Sequence, residues 1–474
     1  MTDFAFMTIA EVSALIRDRK ISPVEYTEAL IARADKFDPK LNAYLRMTPD
    51  IAMAEARAAE EEIGKGNWRG LMHGVPYGLK DIIDRDGLPT TGHSKILVDN
   101  MATGDAPVAA KLRAAGGVLM GKMSTHEFAI GGPSFDLPWP PARNPWNRNH
   151  HPGGSSSGSG SALGAGFMPA ALGSDTGGSV RNPASSCGIV GLKPTYGRTS
   201  RRGVLPLSFS LDHVGPMTRT VEDNAILLNV IAGFDPEDPG SAAVDAPDFT
   251  ADLDKGVEGL KIGVIRHFYT RDQKADPEMA KSIEDALTVL QGLGAEVREL
   301  EIDPLEVYAG CNRTVLLGEA YAIHEKWLQE RPEDYGDKCR ERFLTGTFIT
   351  AADYVNATRR RRILTNRFHA AIADLDVAVT VSSMEPACEI DDDAEIERSY
   401  GRQARAPFNL TGSPAISVPT GFASNGLPLA MQIVGKPFEE AMVYRVARAY
   451  EKATDWTNRQ PDLEAGCRPP QKSD

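Results

Sequence analysis

Ser179 ends the run Gly173-Ser-Asp-Thr-Gly-Gly-Ser179, which follows an apolar, strand-like segment from Phe167 to Leu172. Such a turn can aim consecutive backbone N–H groups at one point, because glycine reaches the needed dihedrals without a Cβ clash. Amides so aimed would stabilise a tetrahedral oxyanion beside an attacking hydroxyl. A serine nucleophile also needs a base. The nine histidines offer no obvious partner, and His150 and His151, the one candidate pair, abut a neighbouring Gly/Ser run but could equally cap or pack. Lys80, in the apolar context Gly74-Val-Pro-Tyr-Gly-Leu79, is the alternative, since desolvation would depress its pKa toward neutrality. A lysine beside Asp81 can equally form a salt bridge, so residue types alone leave the base open.

The Gly/Ser run itself, GGSSSGSGS at 153–161, supports other readings. It could be a flexible linker. Gly158-Ser159-Gly160 with Gly164 loosely matches a dinucleotide loop, and Gly154-x-Ser156-x-Gly158 formally matches a nucleophile elbow. Both of the latter need a strand immediately before the run, and NPWNRNHHP is not one. Two Gly-rich turns close together argue instead for near approach of the backbone to a ligand or reacting atom.

The elements that must position these residues alternate between helix and strand. The first 65 residues read as helix: Thr8 and Glu11 have capping-box spacing, Ser22-Pro23 opens a second helix, and a third runs from about Pro49 to Ile63. Val75 to Leu79, Val118 to Met120, Leu260 to Ile265, Ala295 to Leu300, Val377 to Val381, Ala415 to Val418 and Leu429 to Val434 read as buried strands. Ala106 to Ala115, Pro277 to Leu293, most of 305–375 and Glu439 to Thr454 read as helices. This alternation predicts an α/β fold. A single domain spanning 1–474 is expected, with a helical segment (1–65), a core (66–230), an acidic, Pro-rich surface excursion (231–260), the rest of the sheet with a variable helical region (261–460) and a frayed tail (461–474).

The chain has 474 residues, 42% hydrophobic and 25% charged, with a net charge of −13. That excludes wholesale disorder and argues against nucleic acid or an anionic membrane as the main partner. The run Arg359 to Arg362 reads as a solvated helix face. Five scattered cysteines (Cys187, Cys311, Cys339, Cys388 and Cys467) with no Cys-x-x-Cys pair indicate neither a disulfide framework nor a zinc knuckle. No clustered His/Cys ligands are present, so neither a metal nor another cofactor is expected. With no visible secretory signal or membrane span, the expectation is a cytoplasmic protein.

Taken together, GVPYGLKD (74–81), HPGGSSSGS (151–159), GSDTGGSVRNPASSCGIVGLKPTYGR (173–198), LDHVGPMTRTVED (211–223), NLTGSPAISVPTGF (409–422) and GLPLAMQIVG (426–435) resemble the amidase signature family. The resemblance implies a large central mixed β-sheet surrounded by α-helices and a Ser–cis-Ser–Lys triad. Carried over, Ser179 is the nucleophile, Lys80 the base and Ser155 the bridging serine, with a cis peptide between Gly154 and Ser155. Backbone N–H groups of Thr176, Gly177, Gly178 and Ser179 would form the oxyanion hole. Ser157 stands where the family pattern has glycine. Cys187 matches a common family cysteine and reads as a small buried residue.

Such a relay would form an acyl-enzyme, return the proton to the departing amine and let water release the acid. The expected substrates are small aryl or alkyl amides, with carbamates (urethanes) and esters alongside. Met123, Phe128, Trp139 and Trp146, with Phe135, in the loop 123–147 are candidates to line an apolar pocket. The alternatives are a carboxybiuret or urea-like amide hydrolase, the A subunit of a glutamyl-tRNA amidotransferase, and a partner-dependent, non-catalytic binding subunit. Arg342 in RFLTGTF resembles the amidotransferase subunit's substrate-carboxylate region, whereas Tyr77 to Ile82 lacks the Asn which that subunit places after Lys-Asp. The partners expected are a small-molecule amide or carbamate, no nucleic acid, no membrane and possibly a second copy in a homodimer.

Overall fold

The structure is a computed structural model that describes residues 4–464. Eleven strands build one mixed sheet: β1 (Tyr44–Met47), β2 (Pro76–Lys80), β3 (Val118–Met123), β4 (Ala170–Asp175), β5 (Val190–Lys193), β6 (His213–Thr218), β7 (Lys261–Val264), β8 (Glu296–Glu299), β9 (Val377–Val381), β10 (Ala415–Phe422) and β11 (Pro428–Val434). Their order is β1-β3-β2-β4-β6-β5-β10-β11-β9-β7-β8. Helices wrap the sheet, which is the architecture expected. Strands β9 and β11 are buried at every position, including the polar Thr380 and Gln432, because both faces of the sheet are covered.

The site depends on one local feature of this topology. β2 runs parallel to both β3 and β4, so the C-terminal ends of β2 and β4 open on the same edge of the sheet. Lys80 ends one strand, and Ser174 with Asp175 ends the other. β4 then pairs antiparallel with β6, and antiparallel pairing continues through β5, β10, β11 and β9. Ligand sites of open α/β sheets sit at such strand ends.

Local signals at helix ends act as their chemistry predicts. Thr8 and Glu11 cap the helix Ile9–Arg17 reciprocally, and Ser22 accepts the first amides of Pro23–Phe37. Three readings are corrected. The N-terminal 65 residues are not all helix, because Tyr44 to Met47 form β1 and hydrogen-bond to β3. The strand read at Phe167 to Leu172 lies at Ala170–Asp175, after Gly166 turns the chain at φ +70°. The Gly/Ser run contains a wholly buried helix, Ser157–Gly164, which is neither linker nor loop.

Between 234 and 257 the chain has no helix or strand, and Phe249, Leu253 and Val257 anchor it to the core. The Arg359 to Arg362 face is solvated except at Arg361, whose guanidinium donates to the Leu410 carbonyl and to Ser210. Of the expected frayed tail, 461–464 are described, and Leu463 is buried against the core, while the rest of it and Cys467 lie outside the described residues. No described helix is long and apolar enough to cross a membrane.

The buried helix can exist only because small residues let it approach its neighbours. A Cβ on Gly158 would collide with the Ala43 carbonyl and the Ser124 backbone. Gly158→Ala should therefore lower stability by about 1–3 kcal/mol through overpacking, read as the shift of a urea unfolding midpoint. An unchanged midpoint would show that the β1 neighbourhood yields freely.

Candidate active site

Lys80 has no accessible surface. Its Nζ lies 2.7 Å from Ser155 Oγ and 2.8 Å from Ser174 Oγ. Its neighbour Asp81 does not pair with it: that carboxylate lies 3.0 Å from Lys122 Nζ and also accepts from Thr91. Among the described residues no carboxylate lies within ion-pair distance of Lys80. Burial consequently pushes its pKa down to about 7, with the more distant charges of Asp175 and Asp212 opposing the fall. The amine is thus partly neutral near pH 7 and can accept a proton through a serine hydroxyl.

The Gly/Ser run delivers Ser155 to the amine. The Gly154–Ser155 peptide is cis, the Ser155 carbonyl accepts from the His126 amide, and a Cβ on Gly154 would strike the His126 ring. Ser156, one residue on, bonds the backbone of Ser174 in both directions, and its amide donates to the Ser179 carbonyl. Those bonds tie the run to β4. Ser157 uses its hydroxyl on the Ser124 carbonyl, so the serine in the usual glycine position packs the helix rather than facing Lys80.

Asp175 organises the turn that carries Ser179. Its carboxylate accepts from the amides of Gly178 and Val180, from both sides of the Arg181 guanidinium and from Asn409. Although burial alone would raise its pKa, Arg181 holds the group far below the usual carboxylate range. The Gly178 N–H is spent on this contact at 2.8 Å, so it is not free to serve an oxyanion, which corrects one of the four expected donors. The amides of Thr176, Gly177 and Ser179 find no partner among the described residues. Gly178 itself has φ +129°, where a side chain is strained.

Ser155, Ser179, Thr176, Gly177 and Gly178 line one cavity of about 450 Å³. Its remaining wall mixes polar side chains, among them His126, Asn182, Asn312, Arg313, Arg342 and Arg405, with apolar ones, among them Ile130, Leu207, Leu316 and Leu317. Burial, helped by the charge of Lys80, holds His126 well below the ordinary histidine range and so neutral.

The expected aromatic lining is not there. Phe128 packs in a second hydrophobic cluster with Tyr335, Phe343 and Trp327. Trp146 stacks near Phe422 and donates to the Cys187 carbonyl. Trp139 covers His93. Met123 lies buried where it closes on Gly78. Phe135 opens on a separate surface hollow. Apart from Phe135, which is exposed, these side chains were drawn into cores and crevices by their own apolarity, so proximity in sequence to the signature misled.

The histidine alternative for the base also fails on placement. His151 accepts the Gly153 amide at Nδ1, and burial lowers its pKa to about 4. Cys187 is buried and donates to the Pro152 carbonyl, and burial raises its thiol. Sequence reading missed Ser174, Asp175, Arg181 and Arg405. The first three lie inside the signature, where spacing could have suggested them. Arg405 gives no local signal.

The sequence model of the Amidase family matches residues 25–444. The chain is 38% identical to the A subunit of the glutamyl-tRNA(Gln) amidotransferase of Chloroflexus aggregans, over 98% of this chain and 99% of that one. A solved chain from a vestigial protein complex, described as revealing the origins of an s-triazine catabolic enzyme, superposes with TM-score 0.89 at 31% identity, over 94% of this chain and 98% of that one. The peptide amidase of Stenotrophomonas maltophilia superposes with TM-score 0.85 at 30% identity, over 98% and 99%. One expectation falls here. A chain that meets only a small molecule, with no nucleic acid and at most a copy of itself, does not fit relatives named as one subunit of a glutamyl-tRNA(Gln) amidotransferase.

Asp175→Asn should leave the Arg181 guanidinium buried without its counter-charge. The expected cost is about 3–5 kcal/mol, measured by denaturant unfolding. A variant as stable as the parent would mean that the turn is held by Asn409 and backbone contacts alone.

Proposed function

The chain belongs to the amidase family and is an amide-hydrolysing enzyme, and from that premise we propose that it cleaves a primary carboxamide, with glutamine as the donor, as the catalytic subunit of an amidotransferase-like assembly. The observation that carries the chemistry is the 2.7 Å contact between buried, carboxylate-free Lys80 and Ser155 at the cavity that Ser179 lines. Full-length similarity to A subunits supports the assembly and the donor.

Neutral Lys80 takes a proton from Ser155 as Ser155 takes one from Ser179, and Ser179 Oγ bonds to the amide carbon. The oxyanion is met by the free amides of Thr176, Gly177 and Ser179. The relay then runs backwards, protonating the nitrogen so that ammonia leaves and an acyl ester remains on Ser179. Water, deprotonated by the same relay, adds to the ester and releases the acid, restoring Ser179. A relay that both takes and returns a proton suits amides, whose nitrogen departs only when protonated.

A second reading, hydrolysis of a urea-like amide such as carboxybiuret, is favoured by the likeness to the s-triazine-related structure. The aryl-amide, carbamate and ester reading has less behind it, because Phe128, Trp139 and Trp146, the aromatic side chains on which it rested, do not line the cavity.

The test is ammonia release from glutamine, biuret, an aryl amide and an aryl carbamate. It is run with the chain alone and again with partner subunits of a related amidotransferase added. Glutamine turnover that rises with the partners supports the main reading. Biuret turnover by the chain alone supports the second, and preference for the aryl compounds overturns both. In every case Ser179→Ala should lose about 10⁵-fold or more in kcat. The pH profile has a definite sign. Below about 7 Lys80 is protonated and cannot accept, so kcat/KM should fall about tenfold per pH unit on the acid side and level off above. A profile flat from pH 5.5 to 9 would remove Lys80 as the base.

A further inference from the structure

The cavity beside Ser179 holds a cation with no counter-ion. Arg405 is 4% exposed and lines the cavity together with Ser155 and Ser179. Both of its side-chain hydrogen bonds leave from Nη1, to the Ser382 carbonyl and to Ser383 Oγ. Nε is buried and has no hydrogen-bond partner. No carboxylate lies within ion-pair distance of Arg405 among the described residues. The carboxylate whose charge it feels, Asp175, is already held by Arg181. A guanidinium buried in this way is costly unless something in the cavity completes it.

The other charges around the cavity do not supply that partner. Arg342 pairs with Glu397, and both line the cavity. Arg313 is exposed and has no carboxylate partner among the described residues. Three guanidiniums therefore face one carboxylate, and the imbalance is sharpest at the most buried of the three. Its position is informative too. A Cβ on Gly178 would run into Arg405 Nε, so the unsatisfied donor lies over the residue next to the nucleophile. Nε itself is packed against that glycine, and Nη2, which makes no hydrogen bond among the described residues, is the donor left for the cavity, so an anion bound to it can be separated from a carbonyl at Ser179 by only a few bonds.

We propose that Arg405 is the specificity residue for the acyl side of the substrate, binding a carboxylate a few carbons from the scissile amide, so that the preferred substrates are monoamides of short dicarboxylic acids. The inference rests on amide cleavage at Ser179 and deepens it, since glutamine is one member of that class. Arg342 is the less suitable receptor, because its charge is already met by Glu397.

The test compares succinamate with butyramide, two amides of similar size of which only the first carries a carboxylate. In the parent chain kcat/KM should favour succinamate by about 50-fold, the worth of a charge-assisted contact, and a ratio within about threefold overturns the proposal. Arg405→Gln should remove most of that preference, raising KM for succinamate far more than it changes kcat/KM for butyramide. Arg405→Lys should restore part of it. Equal losses on both amides would mean that Arg405 only supports the turn at Gly178, and would also overturn the proposal. If neither amide is hydrolysed, by the chain alone or with the partner subunits added, the reading of its activity fails, but the site is still decided by calorimetry of succinate. Binding by the parent chain that is lost in Arg405→Gln supports the site, and no binding by the parent overturns it.

Discussion

An ammonium placed where water cannot reach it must find a carboxylate or give up its proton. Lys80 is denied the first option by its neighbours. Asp81 faces Lys122 on the adjacent strand and is chelated by Thr91, while Asp175 is surrounded by Arg181, Asn409 and two backbone amides. What remains within reach is two hydroxyls, Ser155 and Ser174, which can donate to a neutral amine or accept from a charged one. The basicity of the site is therefore set by how the surrounding carboxylates are spent. Each of those pairs is as much a part of the site as the lysine.

The same arrangement explains why so many of the nearby residues lack side chains. The Gly/Ser helix, the turn after β4 and the His126 backbone all converge on the space above Lys80. A Cβ at Gly154 would strike His126, one at Gly158 would strike the β1 and β3 connections, and one at Gly178 would strike Arg405. Hydroxyls take over where side chains are allowed, and Ser156, Ser159 and Ser161 each bond to a backbone carbonyl. A buried helix of such composition has little apolar area of its own. It is held by close approach and by satisfied polar groups, as buried polar segments must be.

How far the sequence discloses this differs by element. The three side chains proposed as the relay could be picked out because they lie in segments whose composition is itself unusual, and the α/β alternation was legible because β9, β10 and β11 are largely apolar. The helix Ser157–Gly164 was not, since serine and glycine signal flexibility unless neighbours supply every partner. β1 was hidden because four residues beside long helices carry no periodic signal. The aromatics of 123–147 pointed the wrong way: a large apolar side chain near a cleft is drawn into whatever core is available, and Phe128 found one with Tyr335 and Phe343. Arg405 could not be singled out, because what marks it is the absence of a partner, and that is a property of the folded neighbourhood alone.

The distribution of these residues along the chain separates two tasks. Lys80, Ser155, Ser174, Asp175 and Ser179 stand on or beside two parallel strands, where backbone hydrogen bonds on both sides leave little freedom to move. The far wall of the cavity, from Ala309 to Arg342 and from Glu397 to Ala406, comes from helices and connections outside those strands. Exchanging side chains on that wall changes what is held against Ser179 without touching Lys80, Ser155 or Ser174. The exception is Arg405, which touches both: it packs on Gly178 and shares the field of Asp175 with Arg181. A charge bound at Arg405 is therefore felt by the turn that presents the nucleophile. In this fold the wall and the relay are coupled at that point through a single buried guanidinium.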